Sequence, residues 1–196
     1  MSIAASSLTP GDELADTVAA LLEQLGENPD REGLRETPNR VADSLRDLTA
    51  GYAANPSTIV GDALFAVEDY DDMVVVKDIA FFSLCEHHLL PFFGRAHIGY
   101  VPDGRVVGLS KLQRLVDAYS HRLQLQERMT RDIAEAINNV VTPRGVAVVV
   151  EGRHLCVEMR GVEKESSQTV TSCMLGVFRR DPRTRAEFLS HVQQSH

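Results

Sequence analysis

The chain has 196 residues, of which 43% are hydrophobic and 24% are charged, and its net charge is −8. This composition is typical of a folded globular protein and excludes extended disorder. No apolar run approaches the roughly 20 residues of a membrane-spanning helix. The three cysteines, an odd number, argue against a disulfide scaffold and for a reducing compartment. The first residues lack the basic and apolar regions of a secretory signal, so we expect a cytoplasmic protein with no membrane partner.

The charge is distributed unevenly along the chain. Residues 1–72 hold 4 Lys or Arg against 15 Asp or Glu, whereas residues 73–196 hold 16 against 13. An acidic protein lacks the broad basic face that sequence-independent nucleic-acid binding requires, so we expect no nucleic-acid partner. The acidic stretch 68–72 is the predicted boundary between an N-terminal helical region with its linker, 1–72, and the main domain, 73–196.

The first 56 residues predict two amphipathic helices joined by a loop. Thr9-Pro10 and Thr37-Pro38 are both typical helix starts, with Thr at the N-cap and Pro at the first helical position. Apolar residues follow each start with helical spacing. Asn28 and Pro29 lie in the glycine-bounded break between the two helices.

Strand and helix patterns alternate in the main domain. A capping box predicts a helix that starts at the N-cap Ser110, and helical spacing continues in two later segments, 126–141 and 182–192. Predicted hairpins turn at 102–104 and at 151–153. This order of elements predicts an α+β fold with an antiparallel sheet. The predicted strands are 74–76, 79–84, 92–101, 105–109, 146–150, 154–162 and 169–178.

Cys85, His87 and His88 lie within four consecutive residues. A cysteine and a histidine three residues apart can hold one metal ion, and a thiolate with an imidazole suits zinc. Such a pair alone is a weak signal, because lone cysteines and histidines more often pack in a core. The spacing leaves both histidines open as ligands.

A second segment strengthens the metal hypothesis. Alternation along a strand would place His154, Cys156, Glu158 and Arg160 on one face, lining a polar pocket. With Cys85 and one of the two earlier histidines, Cys156 completes three protein ligands, which leaves a fourth position for water as in catalytic zinc sites. The spare histidine and His154 are then placed to serve as general base and general acid.

Further along the chain, two pairs of residues are suited to a nucleotide. Lys111 and Arg114 share one face of the helix predicted to start at Ser110, and a helix N-terminus favours anions. Gln126 and Glu127 open the next helix. A carboxylate accepts two adjacent N–H bonds, which matches the N1–H and N2–H₂ edge of guanine.

Several segments resemble the signature sequences of the GTP cyclohydrolase I family. The resemblance covers roughly residues 12–192 in one collinear order, and Gln168 and Cys173 depart from the family pattern without matching a site position. The segments are Ser83-Leu84-Cys85-Glu86-His87-His88, Gly108-Leu109-Ser110-Lys111, Gln124-Leu125-Gln126-Glu127-Arg128 and His154-Leu155-Cys156-Val157, with Thr37-Pro38-Asn39-Arg40 and Thr169-Val170-Thr171-Ser172 in support.

The resemblance implies the tunnelling fold, in which antiparallel sheets from several subunits join into barrels. It implies a ring-shaped homodecamer with sites at subunit interfaces. It also implies zinc-dependent hydrolysis and rearrangement of GTP to 7,8-dihydroneopterin triphosphate and formate, the first step of pterin and tetrahydrofolate biosynthesis.

The resemblance also implies a role for each matching residue. Cys85, His88 and Cys156 would hold Zn²⁺, while His87 and His154 would move protons. Glu127, helped by Gln126, would read the guanine edge. The ribose and triphosphate would be bound by Ser110, Lys111, Arg114, Arg160 and Arg40.

The residues leave two other functions open. One is a related tunnelling-fold enzyme, such as the nitrile reductase of queuosine biosynthesis, which uses a cysteine nucleophile, or pyruvoyl-tetrahydropterin synthase, which binds zinc through histidines. The pair Cys85 and Cys156 disfavours both. The other is a zinc-stabilised, purine-binding module without turnover, in which His87 or His154 would close the metal site as a fourth ligand.

Overall fold

The computed structural model describes residues 12–160 and 167–193. Thr9 and Pro10, the first predicted helix start, lie outside the described residues, as do residues 161 and 162 of the predicted strand 154–162. The chain divides into two compact units, Met1–Thr49 and Ala50–His196. The functional boundary after residue 72 stays a prediction.

Two helices that pack against each other make up the described part of the first unit, namely α1 (Glu13–Gln24) and α2 (Thr37–Thr49). The side chain of Asp12 caps α1 by accepting hydrogen bonds from the first-turn backbone, and Arg46 on α2 donates to the same carboxylate at 2.6 Å. This ion pair lowers the pKa of Asp12. The helix predicted to start at Thr37-Pro38 is confirmed, but Thr37 is its first residue and not its N-cap.

The second unit begins with a 3₁₀ helix (Ala50–Ala53) and the short α3 (Pro56–Val60). No described helix is long and apolar enough to cross a membrane. The elements that follow in chain order are β1 (Leu64–Ala66), β2 (Val74–Cys85), β3 (Pro91–Val101), β4 (Arg105–Val107), α4 (Leu109–Ser120), β5 (Leu123–Gln124), α5 (Gln126–Val141), β6 (Gly145–His154), α6 (Leu155–Glu158), β7 (Thr169–Gly176), α7 (Val177–Arg180) and α8 (Pro182–Gln193).

Five strands form one sheet in the order β5-β2-β3-β6-β7. All pairs are antiparallel except β2 with β5, so the predicted α+β fold with an antiparallel sheet is confirmed. Side chains alternate between the two faces of each strand. Val148 and its neighbours on one face pack with Leu115 of α4 and Ile133 of α5, while Val149 on the other face packs with Phe188 of α8.

The predicted hairpin between the strands 92–101 and 105–109 is wrong. Both edges of β3 are already occupied, one by β2 and the other by β6, so no edge remains for the returning chain. Instead β4 pairs with β1 in a separate two-stranded sheet, with Val107 opposite Leu64. The returning strand also ends earlier than predicted, because Leu109 already belongs to α4.

The second predicted hairpin, around 151–153, is also wrong. These residues continue β6 without a turn, and Gly152 pairs with Gly94 of β3. Gly152 serves a close approach, since a Cβ there would lie 2.4 Å from the side-chain oxygen of Gln126. The strand ends at His154, and α6 follows where the sequence predicted a strand.

His97 is a buried titratable group in the middle of β3, with only 2% of its surface exposed. Its Nδ1 accepts a hydrogen bond from the backbone N–H of Asp78 at 3.2 Å. Burial lowers the pKa of His97. The charges of Glu151 and Asp78 oppose this shift, and those of Lys77 and Arg95 reinforce it. The neutral ring is therefore the form that the fold requires, because a proton on Nδ1 would remove the acceptor.

This burial predicts a pH-dependent stability. As pH falls through the ordinary histidine value of about 6.5, the unfolded chain takes up a proton that folded His97 resists, so the stabilisation present above that pH is lost. Between pH 7.5 and 5.5, the free energy of unfolding measured in urea should fall by about 1 kcal/mol more in the wild type than in His97→Asn. The side-chain oxygen of Asn can still accept the hydrogen bond from the backbone N–H of Asp78. His191→Asn, at an exposed histidine, should keep the wild-type dependence. Equal pH curves for His97→Asn and the wild type would contradict the prediction.

Candidate metal centre and adjoining histidine

The ends of three paired strands meet at one edge of the sheet. β2 ends at Cys85, β3 begins at Pro91 and β6 ends at His154. In the register of the sheet, Phe92 lies opposite Ser83 on one side and His154 on the other. The residues that follow β2 and β6 are therefore brought close together, although they lie far apart in sequence.

The turn between β2 and β3 folds back onto Cys85. The backbone N–H groups of His88 and Leu89 donate to the carbonyl of Cys85 at 3.3 and 2.8 Å, and Cys85 N–H donates to Leu90 O at 2.9 Å. Leu89 closes the turn with a φ of 54°. This geometry places Nδ1 of His88 3.8 Å from Sγ of Cys85.

The helical turn α6 brings Cys156 to the same place. The ligand atoms of Cys85, His88 and Cys156 all lie within 4.8 Å of one another. Cys85 is buried, Cys156 is half-buried and His88 is exposed, so the cluster opens towards solvent on one side. Two thiols and an imidazole form a soft donor set of the kind that zinc prefers. The cluster could therefore hold a metal ion.

The predicted strand face of His154, Cys156, Glu158 and Arg160 is wrong, because the chain turns helical after His154. A helix does not alternate between two faces, and Met159, which a strand would have placed on the opposite face from these residues, is exposed. Cys156 still reaches Cys85 because the helical turn folds it back towards the end of β2.

The sulfur atoms of the cluster influence each other. Burial raises the pKa of the Cys156 thiol, and the neighbouring Cys85 sulfur raises it further, while the charge of Arg160 opposes the shift. A bound divalent cation would instead favour the deprotonated thiolates, because thiols lose their protons when they become ligands. Metal binding to this cluster is therefore coupled to proton release.

The ring of His154, two residues before Cys156, is held by contacts with two other side chains. Its ring stacks on Phe92 with centroids 4.6 Å apart and planes 2° from parallel. Its Nε2 lies 2.8 Å from the side-chain oxygen of Gln126. Burial lowers the pKa of His154, and the charges of Glu127 and Glu158 partly oppose this effect. The ring is therefore biased towards its neutral form.

Gln126, at the start of α5, is almost completely buried, with 2% of its surface exposed. The two hydrogens of its amide nitrogen are shared among three acceptors, namely Val150 O at 3.1 Å, Thr169 O at 3.0 Å and the Thr171 hydroxyl at 3.1 Å. Thr130 Oγ1 lies 2.7 Å from Thr171 Oγ1 and donates to the backbone carbonyl of Gln126. A site role for Thr130 or Thr171 is not recognisable from the sequence, because only the pairing of β6 with β7 brings Thr171 to α5.

His87, predicted for proton transfer, lies in the turn after β2, and Glu127, predicted to read guanine, lies next to Gln126. His87 is exposed, and its ring centroid lies 6.1 Å from that of His88. Glu127 follows Gln126 in the first turn of α5, close enough to His154 for its charge to act on that ring. Arg160 is exposed just beyond α6.

The predicted phosphate-binding residues on α4 lie in its first turn, but Ser110 is not the N-cap. Gly108 occupies that position, Lys111 N–H donates to its carbonyl at 2.8 Å, and the structure shows no side-chain cap for α4. Ser110 and Arg114 are exposed, and Lys111 is half-buried. Arg40 lies on α2 in the first unit, where it is exposed.

A family model described as GTP cyclohydrolase I matches residues 14–193. The chain belongs to the GTP cyclohydrolase I family. It is 57% identical to "GTP cyclohydrolase 1" of Chlorobium chlorochromatii over 93% of this chain and 82% of the relative, and 56% identical to the Deinococcus radiodurans protein of that name over 88% and 79%. The protein of the same name from Homo sapiens is 55% identical over 92% of this chain and 72% of its own length.

These comparisons confirm the resemblance to the GTP cyclohydrolase I family that the sequence motifs indicated. The structure brings together Cys85, His88 and Cys156, and it selects His88 over His87 as the third member of the cluster. The residue spacing alone left that choice open.

The cluster predicts a metal affinity that depends on each ligand. Cys156→Ala or His88→Ser should lower zinc affinity at least about tenfold, since loss of even an outer partner of a metal ligand costs that much. Zinc per chain, measured by mass spectrometry after dialysis, checks this. Cys173→Ala is the matched control, because Cys173 is a half-buried cysteine outside the cluster and should leave the zinc content unchanged. Full zinc retention by Cys156→Ala would rule out Cys156 as a ligand.

Proposed function

We propose that this member of the GTP cyclohydrolase I family converts GTP and water to 7,8-dihydroneopterin triphosphate and formate, the first step of pterin and tetrahydrofolate biosynthesis. The observation that carries the proposal is the Cys85, His88 and Cys156 cluster directly beside the oriented ring of His154. Relatives that are 54–57% identical carry the name GTP cyclohydrolase 1.

Cys85, His88 and Cys156 are the proposed ligands of a zinc ion. Their donor atoms are of the types and in the number that a catalytic zinc site uses. When bound there, zinc supplies Lewis acidity that activates a water molecule for attack. The thiols of Cys85, at the end of β2, and Cys156, in α6, would hold the ion together with His88.

His154 and His87 are the proposed proton carriers. Because burial lowers the pKa of His154, its protonated form is a stronger acid than an ordinary imidazolium, and it gives a proton to the imidazole part of guanine and makes C8 electrophilic. The exposed His87 takes a proton from the attacking water. Addition of this water and cleavage of one C8–N bond open the ring to a formamide, and a second water hydrolyses the remaining C8–N bond to release formate. The later ribose opening, Amadori rearrangement and ring closure, which returns one water, require further proton transfers that two histidines can supply.

Glu127 is proposed to read the guanine edge through its two carboxylate oxygens. Its place in the first turn of α5 and its effect on His154 support this role. Help from Gln126 in reading guanine stays a prediction. The ribose and triphosphate are proposed to bind to Ser110, Lys111, Arg114, Arg160 and Arg40.

A cytoplasmic ring of ten copies, with barrels of the tunnelling fold completed between subunits, is the proposed assembly. Two features support contact between copies. The outer edge of β7 pairs with no other strand among the described residues, and open edges favour pairing with another chain. Phe82 is 60% exposed beside Phe93 on the sheet surface, next to Arg153. Sites at the subunit interfaces would gather cations from more than one copy.

The proposed reaction predicts two products in equal amounts. Zinc-loaded protein incubated with GTP should release formate and, after oxidation and dephosphorylation, an equal amount of fluorescent neopterin, and a chelator should abolish both. His154→Ala should keep its zinc and lose at least about 100-fold in kcat, the range of general acid–base catalysis.

Other results would change the proposal. Formate without neopterin would restrict the activity to ring opening. GTP binding without either product, at about one zinc per chain, would favour a purine-binding module. Zinc loss in His154→Ala would make His154 a ligand instead of a proton carrier.

The proposed assembly predicts the mass of the particle in solution. Light scattering after size-exclusion chromatography should give ten times the 21.6 kDa of one chain. Phe82→Asp should reduce this mass, because a charge placed on the apolar patch opposes contact between copies. A monomer for the wild type would contradict the assembly.

A further inference from the structure

We propose that Gln126 is a positioning residue for His154, which holds the ring with its hydrogen on Nε2 and so assigns the exchange of protons with substrate to Nδ1. The chemical consequence rests on the proposed function. The orientation of the ring rests on hydrogen bonds within the chain alone.

The orientation of the Gln126 amide is determined by its acceptors. Its nitrogen faces the backbone carbonyls of Val150 and Thr169 at 3.1 and 3.0 Å. A carbonyl oxygen only accepts, so the amide cannot turn its own oxygen towards them without losing both bonds. The oxygen therefore faces His154.

Two threonines reinforce the same orientation. Thr130 has one hydroxyl hydrogen and donates it to the backbone carbonyl of Gln126 at 2.7 Å, so the 2.7 Å contact with Thr171 requires Thr171 to donate to Thr130. Thr171 then accepts from the amide nitrogen of Gln126 at 3.1 Å. The two hydroxyl hydrogens therefore have one consistent direction, from Thr171 to Thr130 and from Thr130 to the carbonyl of Gln126.

The consequence for His154 follows directly. An amide oxygen only accepts, so Nε2 of His154, 2.8 Å away, must carry a hydrogen. A neutral imidazole has one such hydrogen, which leaves a lone pair on Nδ1. The parallel stack on Phe92 fixes the plane of the ring, so the free nitrogen has a defined direction as well as a defined identity.

The same contacts argue against a side-chain contact between Gln126 and guanine. The amide is 2% exposed, and both its nitrogen and its oxygen are already bonded within the chain. Gly152 leaves the space that the amide oxygen occupies, since a Cβ there would lie 2.4 Å from it. The side chain is enclosed by β6, β7 and its own helix, so it acts through His154.

The tautomer is tested without reference to activity. In zinc-loaded protein containing ¹⁵N-histidine, at pH 8 where imidazoles are largely neutral, solid-state NMR should show His154 with a pyrrole-type Nε2 and a pyridine-type Nδ1. His154→Ala identifies the signals by their loss. Gln126→Met, which has neither the oxygen nor the amide, should add the Nδ1–H tautomer. An Nδ1–H tautomer in the wild type would overturn the proposal.

Kinetics separate positioning from substrate contact. Gln126→Met should lower kcat about tenfold or more. When the same substitution is added to His154→Ala, the Kd for GTP measured by calorimetry should equal that of His154→Ala alone. The substitution should cost no further activity in His154→Ala, because the group through which it acts is absent. Thr171→Val should lower kcat in the same direction by a smaller factor, and Thr171→Ser, which keeps the hydroxyl, should restore it. Zinc content and particle mass show that each variant is folded.

Two results distinguish the failure of this inference from that of the proposed function. Weaker GTP binding by Gln126→Met in the His154→Ala background, with the tautomer unchanged, would overturn positioning and make Gln126 a guanine contact. A wild-type protein that makes no formate from GTP would refute the proposed function, and the NMR result would still decide which nitrogen of His154 carries the hydrogen.

Discussion

The pairing of β3 with β2 on one edge and β6 on the other is the constraint on which the site depends. It aligns the end of β2, the start of β3 and the end of β6, so that Cys85 and His154 come to the same end of the sheet. The antiparallel register is set by which face of each strand is buried, and a slip by one residue would send Val148 and Val150 to the face that α8 covers. The core and the metal cluster are thus positioned by one set of backbone hydrogen bonds.

Much of the local structure was predictable from periodicity. The strand β3 and the helices α2, α5 and α8 lie where apolar spacing and the Thr-Pro start of α2 placed them, whereas β2 joins the predicted strands 74–76 and 79–84 into one. The errors share a cause. Gly152 and the turn at 102–104 were interpreted as hairpin turns from local residue types, but pairing with β3 decided both outcomes. Competition between strands for an edge is a tertiary property that a short segment does not encode.

The candidate site, like the fold, was predictable from the sequence only in part. The residue types of Cys85, Cys156 and the pair His87 and His88 were sufficient to predict a metal site, even though the strand assumed for Cys156 was a helical turn. Only the fold selects His88 from the pair. The bonds around Gln126 were not predictable, because they join α5 to β6 and β7 through atoms whose positions depend on the whole sheet. Donor chemistry can be inferred from a residue's identity, but its hydrogen-bond partners require the fold.

The positions of the two cysteines in the chain have a mechanical consequence. Cys85 ends one strand and Cys156 lies in a helical turn roughly 70 residues later, so an ion between them closes a loop that contains β3, α4, α5 and β6. In the folding of the polypeptide, such an ion acts as a removable cross-link, because it restricts the chain only while its ligands hold it. If the proposed ion occupies this cluster, a cell short of the metal would lose part of the tether between α6 and the end of β2 as well as the ion itself.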